Sequence, residues 1–400
     1  LAEDSTRDLL ALICYINTLA FTIVIYIDVD YKYIEHGEAA RMMEKTYKEG
    51  EDKGLSQNEE TRKLQYTGGS SYIVSLPKKW IQDLGLKQGD HVVILRQGNS
   101  TLQIAPASKR PIKEQKEATI EVSKDNNPYF IARKLIALYF LGFNVINVIS
   151  KEGRLLPEQR EVIKNIIRRI LMGTEIIADS AAGITLQVLI NLLDLSVDTA
   201  FKRMLLIAKS MYRDTILSLK ETNVELAEEV IKSDDEVDRF SFYIVRQLKI
   251  AIKNEYLLKE IGLEEPRNCL GYRLIAKTVE RVADHAVIIA KDVIEMRRPL
   301  NKDIIEKISN MTFFALEVLD ESCLSMFKRD YEAADRAIEK AHKIDEMEKA
   351  LLRAVSKPRD INELYRIKLI TENIRRVAEY ASDIGEIVLN MTVQQTLRKG

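Results

Sequence analysis

Two pairs of carboxylates, each spaced one helical turn apart, set the first chemical question. Asp234 and Asp238 sit in the run Ser233-Asp234-Asp235-Glu236-Val237-Asp238, and Glu280 and Asp284 frame Glu280-Arg281-Val282-Ala283-Asp284. On a helix each pair points one way, and like charges one turn apart repel unless a cation sits between them. Two such helices packed side by side would bring four oxygen donors to cations. Carboxylates with one histidine nearby, His285, suit iron, manganese or magnesium more than structural zinc. The spacing decides little by itself: 61 acids in 400 residues give about nine acid pairs at spacing four by chance.

Other chemistries lack their parts. Cys14, Cys269 and Cys323 lie far apart with no CxxC, which disfavours a disulfide framework or a cysteine zinc site. The four histidines form no HExxH, and no module holds Ser-His-Asp or Cys-His partners. Gly68-Gly69-Ser70-Ser71 reads as a tight turn, since no Walker or Rossmann spacing follows. No catalytic residues, enzyme activity or small-molecule cofactor are expected.

The elements that would position the carboxylates come next. Glycine and proline make only about 6% of the chain, so loops are few and helices long. From residue 196 the period is helical, with helices expected at 196–220, 223–254, 267–297, 302–328, 331–355 and 360–395. Residues 273–293 align with 368–388 at an offset of 95, with eight identities in 21 positions. This implies two copies of a three-helix bundle. Ile275, Val279, Val282, Ala286, Ile289 and Val293 step by fours and threes, as a bundle seam does. With Val279 as position a, Glu280 falls at b and Asp284 at f, which predicts that both face outward. That placement speaks against a metalloenzyme. In the second copy Arg375 replaces Glu280, and Asp345, Glu348, Glu379 and Asp383 remain as a weaker acidic patch.

Residues 117–193 alternate strand, helix, strand, helix, strand, strand, a small α+β module without a catalytic constellation. Residues 62–105 read as a strand pair around Gly68-Gly69, a short helix ending at Gly85, and a hairpin turning at Gly98-Asn99. Eight cations against two acids lie between Arg62 and Arg110, in a chain whose net charge is −1. Arg62, Lys63, Lys78, Lys79 and Arg96 are the candidate contacts to phosphates of DNA. A unit this short rarely builds its own core, so a partner is expected.

Residues 9–27 carry no charge over 19 residues. Three readings stand: a membrane anchor with the following lysines and arginines in the cytoplasm, a buried hairpin or helix, or an extension ahead of the natural start. The expected organisation is 1–61 hydrophobic segment and polar linker, 62–110 hairpin unit, 117–193 α+β module, and helical repeats at 196–297 and 300–395.

The run Gly69-Ser70-Ser71-Tyr72-Ile73-Val74-Ser75-Leu76-Pro77-Lys78-Lys79-Trp80, followed by Asp83-Leu84-Gly85-Leu86-Lys87-Gln88-Gly89-Asp90, resembles the SpoVT/AbrB-type swapped-hairpin DNA-binding domain. The resemblance covers 62–105 and implies two chains interleaving strands into one barrel. The acidic runs at 234–238 and 280–284, within the duplication, resemble PhoU-type phosphate-uptake regulators over 196–395. That resemblance implies acidic motifs able to bind multinuclear metal clusters. Together the chain resembles archaeal-style PhoU-like regulators with an N-terminal AbrB-type domain.

The resulting expectation is a multi-domain α+β protein, mainly helical. It would be a cytoplasmic homodimer that binds double-stranded DNA and responds to phosphate status. It would be membrane-associated if 9–27 is an anchor. The PhoU resemblance implies contact with a phosphate ABC transporter or its signalling machinery. The alternative is an adaptor that regulates such a transporter through the helical region without touching DNA.

Overall fold

The computed structural model describes residues 60–69, 71–97, 101–107, 116–191, 193–252, 255–296, 298–355 and 361–397. The apolar segment 9–27, nearly all of the polar linker and the Gly98-Asn99 turn lie outside the described residues. Contacts divide the chain into two units, Leu1–Glu114 and Gln115–Gly400.

In the first unit, strand β1 (Gln65–Thr67) pairs antiparallel with β2 (Ser71–Ile73). Gly68 and Gly69 make the turn at φ of +60° and +77°, where a side chain would be strained. Pro77 precedes helix α1 (Lys78–Asp83), and Gly85, at φ +70°, follows its end. Strands β3 (Val92–Gln97) and β4 (Thr101–Pro106) form a second antiparallel pair. Among the described residues these are two separate two-stranded sheets, with no closed barrel. Among the described residues of this unit only Pro77 and Pro106 are buried. Leu64, Tyr66, Tyr72, Ile94 and Leu102 are exposed. The alternating pattern makes strands, but one chain leaves their apolar side chains uncovered.

The second unit begins with an α+β module: β5 (Glu117–Val122), α2 (Pro128–Phe140), β6 (Val145–Ser150), α3 (Pro157–Arg169), β7 (Thr174–Asp179) and β8 (Gly183–Val188). The sheet order is β5-β6-β8-β7, with β5 and β6 parallel and the other pairs antiparallel. Each helix has proline in its first turn, where no N–H is needed, and the Asn127 side chain accepts from Tyr129 N. Ile120, Ile131, Leu135, Ile146, Val148, Ile163, Ile166, Ile184 and Leu186 form the core between sheet and helices.

The first helical repeat comprises α4 (Val197–Glu221), α5 (Val224–Ala251) and, after the short α6 (Glu255–Glu260), α7 (Asn268–Glu295). The second comprises α8 (Lys302–Lys328), α9 (Tyr331–Ala341), α10 (Lys343–Ala354) and α11 (Ile361–Leu397). The expected helix 331–355 is thus broken at His342. Ser196, Asn223, Asn301 and Asp330 cap four helix starts through their side chains. Helix α7 packs on α4 and α5 of its own repeat and on α11 of the second, so it joins the two repeats. The seam Ile275, Val279, Val282, Ala286, Ile289 and Val293 is fully buried, as is its copy from Ile370 to Val388. Among the described residues no helix is long and apolar enough to cross a membrane.

The module is bolted to the bundle through α5. Arg246 is buried, donates to the Tyr139 carbonyl, and lies 4.7 Å above the Tyr139 ring. Gly142 sits at φ +87°, and a Cβ there would meet Ile250 Cγ1 at 2.9 Å. Close approach of the two layers requires glycine at that position.

Candidate functional site

Helix α5 carries Asp234 and Asp238, and α7 carries Glu280 and Asp284, on two helices that pack along their lengths. The outward placement expected for Glu280 and Asp284 is wrong. Glu280 is 2% exposed, Asp234 3% and Asp238 2%, and Asp284 is half-buried. A heptad assumes one seam, whereas α7 is covered on three sides, so its b and f positions also meet neighbours.

Burial and mutual repulsion dominate the electrostatics. Asp234 is pushed up to about 8, first by desolvation, then by Asp284, Glu280 and Asp235. Asp284 rises to about 7, by desolvation and then Glu280. Asp238 is raised well above the usual carboxylate range by burial, then by Glu280, Asp234 and Asp284. Lys277 Nζ lies 2.8 Å from Glu280 Oε1, and Ser241 Oγ donates to Glu280 Oε2 at 3.3 Å. Asp234 Oδ1 is buried without a hydrogen-bond partner, and so is the Tyr212 hydroxyl on α4. Burial pushes the Tyr212 phenol up, and Tyr380 and then Asp284 add to it.

These groups fit a hard cation in donor chemistry and in excess negative charge. An orphaned buried carboxylate oxygen adds to the fit, because such an atom is costly to leave unpaired. Among the described residues, however, no three His, Cys, Asp or Glu side chains stand where they could hold one ion as they are. His285 does not join the carboxylates: its Nδ1 lies 2.5 Å from Asn373 Oδ1 and its Nε2 3.2 Å from Tyr380 OH, both on α11. Sequence reasoning missed Tyr212, Ser241 and Lys277. Only Lys277 left a signal, standing three residues before Glu280 on the same helix.

The second repeat is arranged differently. Arg375, at the position of Glu280, pairs with Glu379, with Glu372 at 3.1 Å and with Glu348 at 3.3 Å. Asp345 and Asp383 are exposed. The Arg375 guanidinium thus pairs with three acids in the second repeat, whereas in the first, among the described residues, Lys277 pairs with Glu280 alone.

In the hairpin unit Arg62, Lys63, Lys78 and Lys79 are all exposed, and Arg62 pairs with Glu60. Arg96 lies on β3, and its side chain lies outside the described residues.

Comparison with known proteins falls on the same regions. The PhoU domain family matches residues 201–293 and 308–388. The family described as antidote-toxin recognition MazE, bacterial antitoxin, matches 65–112. A phosphate-specific transport system accessory protein PhoU homolog of Aquifex aeolicus is 28% identical over 200 residues, 44% of this chain and 85% of that protein. PhoU homolog 2 of Thermotoga maritima is 30% identical over 195 residues, 46% of this chain and 78% of that protein. The crystal structure of the phosphate transport system regulatory protein PhoU from Streptococcus pneumoniae aligns with a TM-score of 0.42 at 20% identity, covering 48% of this chain and 91% of that one.

Proposed function

The chain belongs to the PhoU family and carries an AbrB-like domain ahead of the helical repeats, and on that premise we propose that it is a phosphate-responsive, DNA-binding transcriptional regulator. Its role is regulatory rather than catalytic, and it acts in the cytoplasm, where the DNA is. The observation that carries this reading is the hairpin unit. It exposes Arg62, Lys63, Lys78 and Lys79, and it leaves Tyr72, Ile94 and Leu102 uncovered within one chain. A second copy interleaving its strands would cover those apolar side chains and double the cationic surface, and such a dimer reads a roughly palindromic site. The helical repeats supply the phosphate-linked input, through contact with a phosphate ABC transporter or its signalling machinery. Iron, manganese or magnesium binds Asp234, Asp238, Glu280 and Asp284 once these buried side chains converge on one ion, and adds positive charge beyond that of Lys277.

The test is fluorescence anisotropy with the full chain and duplex DNA from upstream of its own phosphate-uptake genes, against a shuffled duplex, at two salt concentrations. Preference for the native duplex that persists at the higher salt supports the reading. Equal binding to both that vanishes with salt overturns it. A second reading draws on Leu206, Phe313 and Leu324, exposed on α4 and α8. Such apolar positions suit a protein partner, and the chain would then be a transporter adaptor whose hairpin unit only dimerises.

A further inference from the structure

The α+β module holds a feature that DNA binding and the carboxylate cluster leave unused. Helix α3 presents Arg160, Lys164 and Arg168 at spacings of four, so they form one stripe that rises about 6 Å per step. The stripe lines a cleft of about 620 Å³ between α3 and the β7–β8 turn. That volume lies within the range of small-molecule sites. Arg154 enters the same cleft from the loop before α3.

The cations are not equivalent. Asp179, at the end of β7, accepts from Arg160 and sits 2.8 Å from Lys164 Nζ, and Arg160 Nη1 donates to the Ser180 carbonyl at 2.6 Å. These two side chains are therefore held in place before any ligand arrives. Arg154 and Arg168 are exposed, line the cleft and have no ion-pair partner among the described residues. Arginine forks match the oxygens of phosphate groups. Glu161 also lines the cleft. A bare polyanion would meet that carboxylate as a repulsion, whereas a ligand with hydroxyl or amino donors would use it as an acceptor. Leu155 and Pro157 give an apolar wall for a ring or chain.

We propose that this cleft is an effector site for a nucleotide-sized phosphorylated metabolite, gripped at its phosphates by Arg154 and Arg168 beside the pinned Arg160 and Lys164. The inference does not depend on the DNA-binding reading. It bears on regulation, because α3 is also the helix that reaches the acidic cluster.

Isothermal titration of the full chain with ADP, and separately with orthophosphate, tests it. ADP is expected to bind once per chain and more tightly than orthophosphate. The variant R154E/R168E is expected to weaken ADP at least ten-fold, the size of losing charge-assisted contacts. The neutral variant R154Q/R168Q, which removes no protein contact, should show the same direction with an unchanged thermal midpoint. K78E/K79E should leave ADP binding as it was. No binding of ADP, equal affinity in R154Q/R168Q, or orthophosphate binding as tightly as ADP would each overturn the proposal. So would a duplex that displaces ADP and loses its own affinity in R154E/R168E, since the cleft would then belong to nucleic acid.

Discussion

Arg169, the last residue of α3, donates from Nε to Asp235 Oδ2 at 2.6 Å, and Asp235 stands beside Asp234 of the buried carboxylate cluster. A change in charge at the cluster is therefore one residue away from the ion pair that ties the α+β module to α5. Both partners are partly buried, with side chains 33% and 19% exposed.

A double-mutant cycle measures that tie. Arg169→Ala and Asp235→Ala are each expected to destabilise the protein, with a coupling of about 1 kcal/mol in denaturant unfolding, a value discounted for partial exposure. Additive losses would show that the pair does not link the layers.

The cluster gives a pH dependence whose sign is fixed. Asp234 and Asp284 have folded-state values of about 8 and about 7, above the unfolded value near 4. The folded protein therefore holds protons that the unfolded chain has released, and stability falls as pH rises from about 4 through about 8. Metal-free protein should be less stable at pH 8.5 than at pH 5.5 by on the order of a few kcal/mol. Asp234→Asn should flatten the slope in urea unfolding at the two pH values.

Manganese(II) added to metal-free protein is expected to raise the thermal midpoint. A hundred-fold excess over Kd corresponds to about 2.7 kcal/mol. The double variant Asp234→Asn/Glu280→Gln should remove the shift, and Asp345→Asn/Glu379→Gln should not. An equal shift in all three proteins would place the metal elsewhere.

Arg375→Ala removes the ion-pair partner of Glu348, while Glu372 and Glu379 keep Arg376. A loss of about 1–2 kcal/mol is expected at pH 8, shrinking at pH 4 as Glu348, whose carboxyl is pushed up by burial, protonates. Chemical unfolding at both pH values reads it.

Ile94 is 61% exposed on β3 of a single chain. If a second copy covers it, Ile94→Asp should turn a dimer into a monomer in sedimentation and lower DNA affinity at least ten-fold. A variant that stays dimeric would place the dimer contact outside this hairpin.

Much of the fold was legible from local signals. The fours-and-threes seam from Ile275 to Val293 and its copy from Ile370 mark helices that the structure contains at nearly the expected bounds. The break at His342 was not legible, because the helical period of 331–355 continues across it. Of the candidate site, the four carboxylates were legible as a set once the two helices were assumed to be neighbours. Their burial was not.

What the sequence determined by itself is periodic and local: which residues form helices, that the bundle is duplicated, and that Arg375 replaces an acid in the second copy. Tertiary structure alone decided the surroundings of each side chain. Helix α7 has neighbours on three sides, so Glu280 at position b is buried, although the pattern of one seam sends it to solvent. His285 turned to Asn373 and Tyr380 because α11 packs there. The cleft on α3 exists because the β7–β8 turn folds back beside it, bringing Asp179 to Arg160 and Lys164 across 15 or more residues of chain. Periodicity reports an element's own faces, while burial and charge depend on every element packed against it, and those contacts are non-local.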